Sequence, residues 1–324
     1  MTDVIASGDW LSHIRREYLD EYLPAGGASV KFAVAREPGG SNEVVGQVRA
    51  LARDSGFVSI VVDAAETRVH LIERLFFACA LQVPWARLTD AALRRFAKDE
   101  GFSAPTDVPT GASFAQSVAT HAGMDVDFVR QRLVQRIQSH VYRDRAMIRD
   151  FRLAMTWLCQ GRLTGAPTFP ADADLIEQWL TGRMARINVL KHLAIFTKIN
   201  RTNARLHLES LLHWLRVAHI RGTVLILNVD RLLEPRRNDA GENYSRAALM
   251  DAYEVLRQFI DSIDDLEGLL LVVVANEAIL DADSRQRGLA AYHALRNRVY
   301  DEVRDREHAN PAGALARLTV GGAR

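Results

Sequence analysis

Four short apolar runs constrain this chain more than any other feature. They are "ASVKFAV" (28–34), "FVSIVVDA" (57–64), "GTVLILNVD" (222–230) and "GLLLVVVANE" (268–277). Each is rich in β-branched residues and lacks the alternation of a strand with one face in water. Strands of that kind are buried on both faces, which predicts a parallel sheet covered by helices. Parallel neighbours need long crossovers, so the segments between the runs must be largely helical. The first two runs are joined by a turn and "NEVVGQVRALARDSG", a helix closed at Gly56, giving a βαβ unit.

The remaining organisation follows from that sheet. Trp10, Leu11, Ile14, Tyr18, Tyr22 and Leu23 fall at helical spacing over 8–23, and "PAGG" ends that helix, so 1–28 reads as an N-terminal helix. Residues 29–87 read as the first part of the α/β core, closing with a helix from about Arg68 to Gln82. Residues 88–200 carry no strand signal and read as a helical insertion, broken by two loops at 101–113 and 160–173. Residues 201–324 bring the second part of the core, with helices at 202–220 and 244–263. A last helical segment, "AAYHALRNRVYDEVRDREH", stops at "NPAGALARL".

Composition excludes little. The 41 basic residues nearly balance 40 acidic ones, so global charge gives no reason for nucleic acid or an acidic membrane as partner. Cys79 and Cys159 lie in apolar segments without a spacing motif and read as buried thiols. The histidines show no metal spacing, and no nucleophile–histidine–acid arrangement is legible. The N-terminus lacks a signal layout and no run reaches the ~18 apolar residues of a membrane helix, so the chain reads as cytosolic.

The functional question sits in "VKFAVAREPGGSNE" (30–43). Strand, glycine-containing turn and helix are the layout of a phosphate-binding loop, in which backbone N–H groups and a helix N-terminus converge on an anion. The pattern G-x-x-x-x-G-K-[ST] becomes here Ala35-Arg36-Glu37-Pro38-Gly39-Gly40-Ser41-Asn42. Gly40 keeps the last glycine. Ser41 stands in place of the lysine and Asn42 in place of the hydroxyl residue that holds Mg²⁺. Pro38 removes one N–H, and Glu37 brings a negative charge. On these residues alone, a plain βα turn and a lapsed phosphate loop both remain open. The strand "VLILNVDRLLE" has the same character. Where an acid should hold Mg²⁺ stands Asn228, with Asp230 two residues on and Glu234 beyond.

The chain resembles the P-loop, AAA-type ATP-binding proteins of bacterial anti-phage islands of the BREX kind. The resemblance covers nearly its whole length. It runs from "EYLPAGGASVKFAV" through "WLTGRMARINVLKHLAIFTKINRTNARLHLESLLHWLRVAHIRGTVLILNVDRLLE" to "GLLLVVVANEAIL" and "ALRNRVYDEVRDREHANPAGALARL". It implies a P-loop NTPase-like parallel sheet with a large helical insertion, ATP and Mg²⁺ as ligands, and partners in the same defence island. Those partners would be a paralogous ATP-binding protein or a second copy of the chain, and through them a helicase or other DNA-acting component. It also implies a further helical, DNA-facing region after "NPAGALARL", where this sequence soon ends. The family's lysine and its acidic pair are absent here. The expectation is therefore a degenerate, non-hydrolysing subunit that supports an active paralogue.

The resemblance gives other residues roles to weigh against plainer ones. Asn276 falls at a sensor position for the γ-phosphate, or simply caps a strand end. Arg296 and Arg298 could reach a neighbouring subunit's nucleotide, or pair locally with Asp301, Glu302 and Asp305. A slow ATPase would need Lys31, Arg36 or a partner's residue to replace the missing lysine. Residues 130–152 place seven arginines on one predicted helix, which suits either a DNA contact or a solvated face.

Overall fold

The structure is a computed structural model that describes residues 4–109, 111–235, 239–281, 287–301 and 311–321. In chain order, β1 (Val4–Ala6), α1 (Ser7–His13), β2 (Ser29–Ala35), α2 (Gly40–Asp54), β3 (Val58–Asp63) and α3 (Ile72–Ala80) come first. Six helices follow: α4 (Trp85–Asp99), α5 (Phe114–Ala122), α6 (Val126–Ile137), α7 (Arg149–Thr164), α8 (Phe169–Leu180) and α9 (Ala204–Val217). The chain then adds β4 (Thr223–Asn228), α10 (Asp230–Leu233), α11 (Arg246–Asp261), β5 (Leu269–Asn276), α12 (His293–Asp301) and β6 (Leu315–Thr319). It divides into two compact units, one of residues 1–79 with 220–324 and one of residues 80–219.

The first unit is built on a six-stranded sheet in the order β1-β6-β2-β5-β4-β3, parallel at every pairing. The apolar runs account for it. Residues 269–275 of β5 are wholly buried in the middle of the sheet, and every residue of β4 is buried beside it. Helix α2 presents Val44, Val48 and Ala52, one residue per turn, to Ala33, Val224, Val272 and Leu318 of the sheet. Trp10 and Ile14 join the same core from α1 and the wider turns that continue it over Ile14–Tyr22. Burying a side chain such as Val48 is worth roughly 1.5–3 kcal/mol, so this stripe fixes α2 on the sheet and with it the turn at its N-terminus.

Two strands have no counterpart in the sequence reading. β1 is three residues long, and "LARLT" of β6, taken there as the stop after a helix, pairs with β2 and β1. Both are short and carry little periodicity. They are strands because β2 would otherwise present an open edge. The architecture is the P-loop NTPase-like α/β fold that the resemblance implies, with β5 lying between the strand that leads into the turn and the strand that ends at Asn228.

The second unit is helical. Phe96, Phe114, Leu133, Ile137, Phe151 and Cys159 are fully buried in it. Arg162, 8% exposed, grips Asp90 through two hydrogen bonds and donates to the carbonyls of Val108, Pro109 and Ala112, so it organises the loop before α5. The single helix expected over 130–152 is not formed. α6 ends at Ile137 and widens to Tyr142, and a new helix starts at Arg149 after a turn in which Asp144 caps Ala146.

Candidate functional site

β2 ends at Ala35 and α2 begins at Gly40, so Arg36 to Gly39 form a turn at the carboxyl edge of the sheet. Gly40 N–H closes it by donating to the Glu37 carbonyl at 2.9 Å. Gly39 takes φ +76°, a region glycine enters without steric cost. Gly40 answers a different demand, since a Cβ there would lie 3.1 Å from Ala35 Cβ and 3.2 Å from Val320 Cγ2. The strand β6 and the residue after it hold the turn from outside. Arg36 N–H donates to the Leu318 carbonyl at 3.0 Å, and Val320 N–H donates to the Glu37 carboxylate at 3.0 Å. The Glu37 carboxylate is thus engaged by a peptide N–H of the same chain.

Inside the helix start, Ser41 is 2% exposed. Its hydroxyl lies against Asp230 and lowers that carboxyl's pKa, though Oγ makes no hydrogen bond of ordinary geometry. Asn42 accepts from Asn228 Nδ2 at 3.4 Å. The same Nδ2 donates to Asp63 at 3.1 Å, and Asn228 Oδ1 accepts the Asp230 N–H at 3.1 Å. One amide therefore ties α2, the end of β3 and the start of α10. Asp230 in turn accepts the Asn276 N–H at 2.6 Å, and Asn276 Oδ1 accepts from Ala278 N–H at 2.9 Å. Burial pushes the Asp230 carboxyl above its ordinary value, and nearby Asp63 and Glu234 push it further. The Ser41 hydroxyl and the Asn276 N–H oppose them.

The register explains this convergence. Asp63 pairs with Asn228 and Ala35 with Asn276 at the carboxyl ends of their strands, where α/β proteins place their sites. Glu37, Gly39, Gly40, Ser41, Asn42, Asn228, Asp230 and Asn276 all lie along this edge. Asp63 belongs with them, and sequence reasoning passed it over. The signal was available, since an acid that closes a buried apolar strand needs a partner. Arg36 is exposed beside the turn. Arg296 and Arg298 are engaged elsewhere: Arg298 pairs with Asp261 of α11 and donates to the Ala294 carbonyl, and Arg296 lies 5.8 Å from the Tyr300 ring. Arg298 thus pairs between helices, with Asp261. Glu302 and Asp305 lie outside the described residues.

Other expectations need correction. Lys31 cannot replace the missing lysine. It is 4% exposed near the start of β2, with Nζ donating to the Ala312 and Gly313 carbonyls at 2.6 and 3.2 Å and lying 4.7 Å from the Tyr18 ring. Four strand steps separate it from Ala35, about 13 Å of rise. The arginines of 130–152, whose spacing already spreads them around the predicted helix, meet local acids. Arg132 and Arg136 both clasp Glu100, whose side chain is 6% exposed, while Arg130 pairs with Asp127 and Arg149 with Asp150. Cys79 and Cys159 are free and buried, as expected. Among the described residues, no group of three or more His, Cys, Asp and Glu could hold a metal ion, and no helix is long and apolar enough to cross a membrane.

A model of the family described as "BREX system ATP-binding protein BrxC/D" matches residues 107–320. No curated protein and no solved structure matches. The matched stretch includes Asn228, Asp230, Asn276, Arg296 and Arg298 but begins after the 36–39 turn, so that turn is judged on its own residues. With more than half its length in the match and a parallel sheet carrying a turn of phosphate-loop layout, the chain belongs to the BREX system ATP-binding protein BrxC/D family.

Proposed function

We propose that this protein is a non-hydrolysing, ATPase-like subunit of a BREX system, working in the cytoplasm as a structural or regulatory partner of an active ATPase paralogue. The observation that carries the reading is the Asn42–Asn228 contact. A hydrolysing site has a hydroxyl and an acid at these two places, with Mg²⁺ between them. Two neutral amides bonded to one another stand there instead and offer the ion no charge.

The surroundings support the same reading. No lysine faces the phosphates, Pro38 withholds an N–H, and the Glu37 carboxylate takes up the Val320 N–H. Glu37, Asp63 and Asp230 gather negative charge along the edge where a triphosphate would bring more, and like charges there cost free energy. The residues present do not fit a magnesium-bound triphosphate. A subunit of this kind keeps the family's interfaces, and membership in the system places its partners within it.

Calorimetric titration with Mg-ATP and Mg-ADP, beside a turnover assay, tests the proposal. The expected result is no binding heat at millimolar nucleotide and no phosphate release. Micromolar binding would show that the turn still cradles phosphate, and turnover abolished by Arg36→Ala would replace this reading with a slow ATPase.

A further inference from the structure

The helical unit holds a second feature, independent of the turn. Between Glu177 and Glu209 the sequence has no acidic residue, while Arg183, Arg186, Lys191, Lys198, Arg201 and Arg205 fall in that interval. Two of the chain's four lysines are among them. The segment between α8 and α9 is mostly irregular, and Arg183, Arg186, Lys191, His192, Lys198 and Arg201 are all exposed on it. In a chain of net charge +1, such segregation is a local electropositive surface.

Internal bonds gather these charges. Lys198 Nζ donates to the Ala185 carbonyl at 2.7 Å, which sets it between Arg183 and Arg186. Arg149 donates to the Ala194 carbonyl, and Ala194 N–H donates to the Lys191 carbonyl. Among the described residues, Asp150, Asp172 and Glu177 meet the segment from neighbouring elements. Asp150 is engaged by Arg149 and the Thr197 N–H, Asp172 by His192, and Glu177 by Arg183. None of them faces Arg186 or Lys191.

An aromatic platform stands in the middle. Phe196 is 53% exposed, unusual for a phenylalanine, and the Arg149 guanidinium lies 5.8 Å from its ring. One side of the ring is thus backed by a cation, and about half of the residue is open to solvent. Beside the segment is a cavity of ≈ 270 Å³, lined by Trp157, Phe169, Ile176 and the Gln160, Thr164 and Asp172 side chains. Trp157 Nε1 donates to the Leu193 carbonyl and Asp172 bonds His192, so the cavity adjoins the basic segment directly.

Exposed cations along an irregular segment, an open aromatic face and an adjoining apolar pocket with a few polar groups are what a single-stranded nucleic acid requires. Phosphates meet the cations, one base stacks and another inserts. A duplex keeps its bases stacked inside and can use only the cations. We infer that residues 183–201, with Phe196 and the Trp157 cavity, form a binding surface for single-stranded nucleic acid.

The test is fluorescence anisotropy of the full chain with a labelled oligothymidylate of about 20 nucleotides, longer than one site requires, across a salt series. An abasic oligomer of equal charge and a duplex serve as comparisons. The oligothymidylate should bind at least about tenfold more tightly than the abasic oligomer, the scale expected of base stacking. Phe196→Ala should remove most of that advantage. Arg186→Glu with Lys191→Glu should weaken binding further and flatten the salt dependence by about two counterions. Circular dichroism of each variant separates these losses from unfolding. Equal binding of the oligothymidylate and the abasic oligomer would overturn the inference in favour of a general polyanion surface. Tighter binding of the duplex, no binding at low salt, or folded variants that bind as the parent does would also overturn it.

Discussion

The Val320 N–H donates to the Glu37 carboxylate at 3.0 Å, joining the turn after β2 to the residue after β6 across 283 positions of sequence. Arg36 makes the adjacent bond to Leu318, so the turn has two ties to the neighbouring strand β6 and the residue after it. Glu37→Ala removes the charged partner of one of them. The expected loss is about 1–3 kcal/mol of unfolding free energy, the range for a charge-assisted bond, read from denaturant titration. No gain in nucleotide binding should accompany it.

Restoring the consensus residues should not restore chemistry. In the triple variant Ser41→Lys, Asn42→Thr, Asn228→Asp, the Glu37 carboxylate and Pro38 remain in the turn, and position 41 is 2% exposed beside Asp230. A lysine there is drawn to Asp230. Phosphate release should stay at background, and turnover at rates typical of this fold would show that the three residues alone had silenced the site.

Asp230 gives a pH signature. Burial raises its folded-state pKa above the ordinary 3.8, so the stabilising contribution is fully present below that value and is lost as pH rises through the folded value. At neutral pH the buried carboxylate is therefore a liability. Asp230→Asn keeps an oxygen for the Asn276 N–H and removes the charge. The variant should melt higher than the parent at pH 7, with the difference shrinking as the pH falls toward 3.8.

Glu254 should behave in the opposite way. Its hydrogen bonds to Arg257 hold the carboxyl down to about 2 against the ordinary 4.5, with Tyr292 and Gln258 also donating to it. That stability is present above 4.5 and is lost as pH falls from 4.5 through about 2. Glu254→Gln should melt lower than the parent at pH 7, and the two curves should converge in acid.

Arg162 anchors the loop before α5 in the helical unit. Arg162→Ala strips Asp90 of its partner and leaves three carbonyls without this donor. Loss of one member of a largely buried pair costs about 3–5 kcal/mol. Proteolysis should open the chain near residues 101–113 in the variant and spare the parent. Equal protection in both would show that the loop is held by its own apolar residues.

The sheet was legible because its strands are long and wholly apolar. "LLLVVVAN" has no other plausible role, and the 3.6-residue spacing of Val44, Val48 and Ala52 could only be a helix packed on it. "LARLT" failed the same test. It is five residues long and carries an arginine, and its strand character comes from the edge of β2 instead of from its own pattern. The turn was legible as a motif, and its departures could be read off residue by residue. Its ties were not, because Val320 meets Glu37 across 283 positions and Asp63 meets Asn228 across 165, both through sheet register. The arginines of 130–152 misled for a related reason. Counting them along one helix missed both the break before Arg149 and Glu100, which draws Arg132 and Arg136 inward.

Strand order also has a temporal consequence. β2 and β3 follow one another in sequence but never touch: β2 pairs only with β5 and β6, and β3 only with β4. A ribosome that has released the first eighty residues has therefore made two apolar strands with no neighbour to bond. The contiguous residues 80–219 can compact as soon as they emerge, whereas the sheet waits for β4 and β5. During that interval the nascent N-terminal strands are unpaired edges, the kind of surface through which incomplete chains aggregate.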